Sequence, residues 1–491
     1  MSQVIQNSSN YISYDGHLSK VRYHRVPLSN VSSNSLAISL SSVNLGEFRL
    51  TGGQVYNLGK SYIAYNYTVQ ATASKYNCVH EVGNDLCNWI YFGDGFNVGL
   101  TDIQYADRYS KAVRTLRCPK DEFESLDREN GSYRSGELAS VNVLPFSRDG
   151  VALGTQNACT NDYDEVKYLR IAPNVNQALT VNRFLPLSSF KDSFIGMDKN
   201  MFFPREMFLR FNTQHANRIC FQAVNPSNPH ISATEIASGD APPKFLNLYL
   251  YLAVETNEVL IDQIKSKVMS SGLRMSIPFQ YAYRFTTQAG ATSSSIQITL
   301  TQQFGRKLKR MLTLPFNGNG EKSEYSYDHS NVNGTKVNTV RSSLDSVPIV
   351  DYIMNCFNPE DSINPAANWT FPNAAGTDGG SIGNDDYREA RLKLMGSAMS
   401  SYSEYQTNWF YCDDWGMNPM LKKESQSVDD SDIDDGLSLI GNNKIYNIQF
   451  ENVFAGTSTN NMGGSNGLIV YYIFAYFVRD LMINQDGVQW V

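Results

Sequence analysis

Four constellations in the sequence carry residue types that can do chemistry. Cys78, His80 and Cys87 form a Cys-x-His-x6-Cys run. Two thiolates and an imidazole suit zinc, but a structural zinc site takes four ligands, usually more tightly spaced. The expectation is therefore free thiols on a loop. Asp429, Asp430, Asp432, Asp434 and Asp435 invite calcium. An EF-hand loop beginning at Asp430 needs Gly at its sixth position and Glu at its twelfth, and Asp435 and Gly441 stand there instead. That run reads as a solvated acidic loop. Asp413 and Asp414, beside Trp409 and Trp415, hint at a glycosidase. Such an enzyme needs two carboxylates facing each other at about 5–10 Å, and neighbours on a strand point to opposite faces. Arg306, Lys307, Lys309 and Arg310 sit on an expected strand. Alternation sends Lys307 and Lys309 to one face, Arg306 and Arg310 to the other. An edge strand protected by charge is the plain reading. A contact with an acidic partner or with lipid headgroups is the sharper one.

The remaining signals are thinner. Histidines stand at 17, 24, 80, 215, 230 and 329, scattered along the chain. The zinc-protease, P-loop and dinucleotide signatures do not occur. Sequons at Asn7, Asn30, Asn66, Asn130, Asn333 and Asn368 arise readily in a chain rich in Asn, Ser and Thr, and no role is assigned to them. The expected inventory is no catalytic, no cofactor-binding and no metal residue, and no cofactor.

The elements around these residues are mostly strands. The chain has 491 residues, room for two to four ordinary domains or two large β domains. Charged residues are 18% and aromatics 12%, a balance that argues against disorder. The net charge of −7 makes a globally basic clamp on nucleic acid implausible, so no sequence-specific nucleic-acid partner is expected. Seven cysteines, odd in number and sparse, do not suggest a disulfide framework. The first residues lack a basic segment followed by an apolar core, so no signal peptide is expected.

Period-two alternation predicts strands at 46–52, 61–72, 111–119, 139–146, 165–172, 177–187, 206–213 and 244–255, with two or three more across 88–109. In the second half strands are expected at 275–287, 294–304, 307–316, 444–454 and 467–480. The run 467–478, GLIVYYIFAYFV, is too short to span a bilayer as a helix and reads as a fully buried strand. Short helices are expected at 120–130, 346–357 and 384–405. The best helix is 257–272, with Thr256 as cap, Gly272 as stop, and Leu260, Ile264 and Val268 on one face. Each half ends with a strand, a loop and a long apolar strand: 206–213 then 244–255, and 444–454 then 467–480. That shared order predicts two sandwiches of one design.

The segments LNLYLYLAVE, NEVLIDQIKSKV, MSIPFQYAYRFT and TLTQQFGRKLKRMLTLPFN, followed by SEYSYDHSNVNGTKVNTVRSSLD and DDYREARLKLMGSAMSSYSEYQTNWFYCDDW, resemble a known family. The pattern is similar to the major capsid protein of Polinton-like viruses, adintoviruses and virophage-related elements, most clearly over 244–415. The resemblance implies an all-β double jelly roll: two eight-stranded antiparallel β-sandwiches with short helices and long loops. It implies an N-terminal arm 1–40, a first roll 41–256, a linking helix 257–272, a second roll 273–480 and a tail 481–491. It implies no enzyme. It implies a homotrimeric, pseudo-hexagonal capsomer in the icosahedral shell of a double-stranded DNA virion, made in host cytoplasm. Its partners would be neighbouring capsomers, penton and minor capsid proteins, with an internal membrane left open. The arm and tail are expected to order only on assembly, and the loops 131–164, 223–243, 317–343 and 358–384 to build the exterior. The competing classes are a two-domain β-sandwich carbohydrate-binding module or adhesin, and a glycosidase.

Overall fold

The computed structural model describes residues 19–70, 76–80, 84–95, 98–110, 143–145, 168–171, 178–190, 192–223, 233–234, 236, 239–286, 293–317, 335–349, 354–355, 411–415, 436–441, 443–454 and 469–491. Before the long helix the chain forms β1 (Val21–Pro27), β2 (Leu45–Leu50), β3 (Gln54–Gln70), β4 (Cys87–Gly93), β5 (Gly99–Gln104), β6 (Ala178–Pro186), β7 (Met207–Thr213) and β8 (Lys244–Glu255). They pair as β1-β8-β3-β6 and β2-β7-β4-β5. After it come β9 (Leu273–Thr286), β10 (Ser293–Leu300), β11 (Lys307–Asn317), β12 (Thr335–Leu344), β13 (Val347–Pro348), β14 (Tyr411–Asp414), β15 (Lys444–Phe454) and β16 (Ile469–Asn484). These pair as β9-β16-β11-β14 and β10-β15-β12-β13. Both sets follow one rule: first, eighth, third and sixth strands in one sheet; second, seventh, fourth and fifth in the other. That order is a jelly roll, drawn twice.

Alternation builds each sandwich. In β3, Ile63, Tyr65, Tyr67 and Val69 turn inward, and the residues between them are half-buried. In β7 the inward set is Met207, Leu209, Phe211 and Thr213. All the strand pairs are antiparallel, so successive connections fall at opposite ends of a roll. One end holds the strand ends flanking the β2-β3, β4-β5, β6-β7, β10-β11, β12-β13 and β14-β15 connections. The other end holds those flanking the β1-β2, β3-β4, β5-β6, β7-β8, β9-β10, β11-β12, β13-β14 and β15-β16 connections. Of the loops expected to build an exterior, 358–384 and all but 143–145 of 131–164 lie outside the described residues, and 223–243 is described only at 223, 233–234, 236 and 239–243. Residues 335–343 of the remaining loop, 317–343, belong to β12 instead. Short strands from these long connections, Tyr76–His80, Val143–Pro145, Tyr168–Ile171, Cys220–Ala223 and Ala233–Thr234, form a separate sheet.

Several expectations are corrected. The segment 1–40 holds more than an arm: Val21–Pro27 is the first strand of the first roll, in register with β8 from Val21↔Glu255 to Pro27↔Tyr249. Its polar sequence hides it because it is an outer strand that buries little. The tail is also built in. Gly487–Trp490 folds back on the end of β16, and the Arg479 guanidinium lies 3.8 Å from the Trp490 ring centre and 4.5 Å from that of Phe279. The helix expected at 346–357 is absent where described. Asp345 and Ser346 have φ of 49° and 69° and make a two-residue hairpin between β12 and β13. Met354–Asn355 is a short strand on β12. The helices expected at 120–130 and 384–405 lie outside the described residues, as does the strand expected at 111–119.

Helix α1 (Glu258–Ser271) links the rolls. Its cap is Asn257, whose side chain accepts from the Val259 amide at 3.1 Å, rather than Thr256. Thr256 donates its hydroxyl to the Lys20 carbonyl at 2.7 Å. Gly272 stops the helix at φ 70°, a conformation glycine adopts without strain. Leu260, Ile264 and Val268 are its buried face. Among the described residues no helix is long and apolar enough to cross a membrane; the apolar run 467–478 lies largely in β16.

Glu255, at the end of β8, ties this corner together. Its carboxylate accepts from the amides of Lys20 (2.8 Å), Thr256 (3.0 Å) and Asn257 (2.9 Å), from the Ser19 hydroxyl (2.5 Å) and from the Asn200 amide (3.0 Å). Burial works to raise its pKa, but the bonds from Ser19, Asn257, Lys20 and Thr256 outweigh burial and leave it below the usual carboxylate value. A depressed folded pKa stabilises above the unfolded value of about 4.3 and is lost as pH falls through the folded one. The protection factors of the Lys20 and Thr256 amides, exchange corrected for its intrinsic pH dependence, should therefore be flat from pH 8 to 5 and fall only in acid below that. Glu255→Gln should remove the acid dependence.

On the helix, Ile264→Asp should place an unpartnered charge in the core and give aggregated or non-assembling protein. Lys265→Asp loses a cation held 5.8 Å from the Phe202 ring centre, worth about 0.5–1 kcal/mol, and should remain soluble with nearly unchanged thermal unfolding.

Candidate inter-roll interface

Strand β16 is apolar on both faces because it serves two cores. Tyr471, Ile473, Ala475 and Phe477 point into the second roll, against Leu308, Met311, Tyr446, Ile448 and Phe450. Val470, Tyr472, Phe474, Tyr476 and Val478 point the other way and join the core of the first roll. Leu312 and Leu314 of β11, Met275 and Ile277 of β9, and the buried face of α1 share that second packing. An aromatic side chain buries roughly 150–250 Å², which at about 25 cal/mol per Å² is worth several kcal/mol each. The inter-roll contact is thus a core rather than a wet domain boundary.

Aromatic rings set its geometry. Tyr105 meets Tyr472 edge-on at 4.8 Å, and Tyr109 meets Phe474 at 5.7 Å and Tyr476 at 6.1 Å. Tyr105 follows the end of β5 and Tyr472 lies near the start of β16, corresponding ends of their rolls. At the other end a Cβ on Gly487 would stand 3.5 Å from the Arg205 side chain. The two rolls therefore stand parallel, with corresponding ends on the same side.

Buried charge is threaded through the contact. Arg310 of β11 lies 3.7 Å from the Asp192 carboxylate of the first roll, with its guanidinium 5.4 Å from the Tyr476 ring centre. Arg108, fully buried, faces Tyr472 at 5.6 Å and sits 3.8 Å from Asp107, which also accepts from Arg218 at 3.0 Å. Such pairs add little net stability, but removing one partner leaves a buried charge and costs about 3–5 kcal/mol. Their effect is to set the register of one roll on the other.

The basic cluster is therefore not an edge strand. β11 lies between β16 and β14, and Lys309 and Arg310 are buried. The register slips between Leu308 and Arg310, so simple alternation fails there. Arg306 donates to Asp480 at 3.0 Å and to Ser276 at 2.8 Å. No sequence pattern distinguishes a basic strand edge from a basic strand threaded between two cores. The inter-roll residues 105–109 were likewise unmarked, since Tyr105 and Tyr109 follow a strand as an ordinary polar-aromatic helical turn.

The other candidates separate. Cys87 begins β4, its thiol 3.5 Å from the Asn84 side-chain oxygen, and burial pushes that thiol up, away from the thiolate a metal needs. Cys78 and His80 belong to the strand Tyr76–His80 in a different sheet, so the run is not a loop. Among the described residues no cluster of three His, Cys, Asp or Glu could hold a metal. Asp413 is buried and accepts from the Tyr446 hydroxyl at 2.7 Å. Its neighbour Asp414 follows on the same strand, in register with Arg310 of β11. Trp415 packs edge-on against Tyr446 at 6.3 Å. Trp409 and the acidic run 429–435 lie outside the described residues. Asn30 donates to the Leu45 carbonyl at 2.6 Å and accepts from the Glu47 amide at 3.2 Å, a structural role. Asn66 sits on β3 opposite Asn182; Asn7, Asn130, Asn333 and Asn368 lie outside the described residues.

Two features escaped sequence reasoning. Gly-x-Ser-x-Gly spacing occurs at 379–383 and 463–467, both outside the described residues; a nucleophile elbow would require a strand-turn-helix there. A buried network holds the first roll: Asp85 accepts from Tyr65, from Tyr67 at 2.5 Å and from Arg183 at 3.2 Å. Burial raises the pKa of both tyrosines, so they stay protonated donors. The signal was available in the inward alternation of Tyr65 and Tyr67, which demands a buried acceptor.

No protein-family model matches the chain, and no curated protein matches it. Solved structures are similar. The PBCV-1 virus capsid matches at 9% identity over 96% of both chains with a TM-score of 0.49. The Sputnik virophage structure matches at 13% identity over 96% of this chain and 88% of that one, with a TM-score of 0.49. The mavirus major capsid protein matches at 8% identity over 96% of this chain and 90% of that one, with a TM-score of 0.42.

Phe474 and Phe477 are both fully buried, on one strand but in different cores. Each change to Ala should cost about 3–5 kcal/mol. Phe474→Ala should split calorimetric unfolding into two transitions, one per roll, whereas Phe477→Ala, which leaves the inter-roll packing in place, should lower one joint transition without splitting it. Two transitions already present in the wild type would show that the contact does not couple the rolls.

Proposed function

We propose that this chain is the major capsid protein of an icosahedral double-stranded DNA virus, and that three copies form a pseudo-hexagonal capsomer. One observation carries the reading: two rolls of identical strand order stand parallel and are fused through a shared strand. Jelly rolls serve capsids, lectins and cupins alike, so the fold alone leaves function open. The rigid fusion favours a shell. A binding module needs only its own pocket and tolerates a loose linker, whereas a tile must hold a fixed outline. Three copies of a two-roll block supply six similar rolls, which closes a hexagonal outline with threefold symmetry. The role is structural, with no catalytic step.

On this reading 257–272 divides the chain into its two rolls. The long connections form the outer surface, and the protein, made in host cytoplasm, ends in the virion. Its partners are two further copies, neighbouring capsomers, penton and minor capsid proteins, and in some architectures an internal membrane. The test is the solution mass of purified protein together with negative-stain images. A mass near three chains and hexagonal outlines or closed shells are expected. A monomer retained on immobilised sugars would replace this reading with the carbohydrate-binding one.

A further inference from the structure

The two rolls guard matching edges differently. β2 and β10 are the second strands of their rolls, and each stands at the end of its sheet. Beside β2 runs an extended segment of the chain itself. Leu28 bridges Phe48, the Ser29 amide donates to the Glu47 carbonyl at 2.7 Å, and the Leu28 side chain belongs to the core. β2 also carries Glu47 and Arg49, which bond to Arg210 and Glu206. β10 reads SSSIQITL, with no charge and no proline, and pairs with β15 from Ser293↔Glu451 to Leu300↔Lys444 without a register slip. Among the described residues no strand pairs with its other edge. A straight, uncharged edge of this kind is a template for pairing with another chain. Chain length accounts for the difference. Residues 28–44 join β1 to β2 and have length to spare for the edge. Residues 287–292 join β9 to β10 and extend at most about 20 Å, of which crossing between stacked sheets takes about 10 Å.

The strand across from this edge is aromatic. Phe450 of β15 stacks on Tyr471 of β16 at 4.3 Å, so their outer neighbours β10 and β9 form one side of the sandwich. Along β9, Tyr281, Tyr283 and Phe285 follow one another with ring centres 4.9 and 6.4 Å apart, and Phe304 meets Tyr281 at 4.7 Å. Tyr281 is 37% exposed, while Tyr283 and Phe285 are half-buried against the second core. We propose that β10 receives, over 295–300, an extended segment of a separate protein, uncharged and apolar at every second residue. The inference goes beyond the capsomer reading and stands without it. Main-chain hydrogen bonds to the edge supply affinity, and the alternate side chains supply specificity. The every-second-residue spacing of Tyr281, Tyr283 and Phe285 is the spacing at which an added strand presents one of its faces. Leu28 in the first roll is the template: a single extended segment laying an apolar side chain between two sheets. An edge strand of a second copy fits less well, because its inward side chains are already committed to its own core.

The experiment uses the full-length protein and a synthetic peptide of alternating leucine and threonine, ended by two lysines for solubility. Fluorescence anisotropy should show saturable binding, and hydrogen exchange should show protection gained at 295–300 and at no other strand edge. Two further peptides carry N-methyl groups on alternate amides, one peptide for each edge of the strand. One should bind like the parent and the other at least tenfold more weakly, because a single edge of the peptide meets β10. Tyr281→Glu and Gln297→Lys, both at exposed positions, should weaken the parent peptide at least tenfold with unchanged thermal unfolding. Val259→Glu, on the exposed side of α1, is the control and should bind like wild type. No saturable binding, equal binding by the two methylated peptides, or protection at another edge would overturn the proposal. Protection already present at every amide of 295–300 in the protein alone would overturn it too. If that protection persists on dilution, the same chain holds the edge; if it is lost on dilution, a second copy does. The solution mass that tests the capsomer reading is measured without peptide, so either proposal can fail alone.

Discussion

Strand β16 must be buried on both sides at once, and most of the molecule follows from that. A strand in an ordinary antiparallel sandwich alternates apolar and polar, because one face meets water. Here the odd-numbered residues Tyr471, Ile473 and Phe477 complete one core and the even-numbered Tyr472, Phe474 and Tyr476 complete another. Neither set can become polar without opening a core. The partner strands β9 and β11 inherit the same demand over part of their length, which is why Ile277, Leu312 and Leu314 belong to the packing of the first roll. The rolls cannot tilt independently, because tilting one would pull a shared sheet away from the other.

Polar groups set the fine position that the apolar surface leaves free. Hydrophobic contact is non-directional, and two sheets could slide by a residue pair at modest cost. Arg310 opposite Asp192, and Arg108 over the Tyr472 ring, remove that freedom, since a slip would part Arg310 from its carboxylate and Arg108 from its ring. Glu255 does the same at the base of the first roll, where it joins the incoming chain, the last strand and the start of α1.

Much of this was legible in the sequence, and for identifiable reasons. The leucine alternation in 244–255, the uniform apolarity of 467–478 and the cap, face and stop of the helix are local patterns with one physical solution each. The matching order of the closing strands in the two halves is now the seventh and eighth strands of two rolls of one topology. What escaped depends on distant partners. Val21–Pro27 looks polar because its partner strand, more than two hundred residues away, supplies the packing. Lys309 and Arg310 look like edge residues because a register slip, invisible in composition, turns them inward. The hairpin at Asp345–Ser346 was mistaken for a helix start because serine followed closely by proline suits both. Positive φ at two successive residues decided it.

The unequal length of the connections has an evolutionary consequence. Lengthening a connection already long costs only about 0.6 kcal/mol of closure entropy per doubling. Changing the two-residue hairpin at Asp345–Ser346 would shift a register and turn every side chain of β13 over. A long connection is thus free to diversify, while the two-residue hairpin is held by strand geometry. Sequence drift and recombination would be accommodated in the long connections without a single core residue having to change.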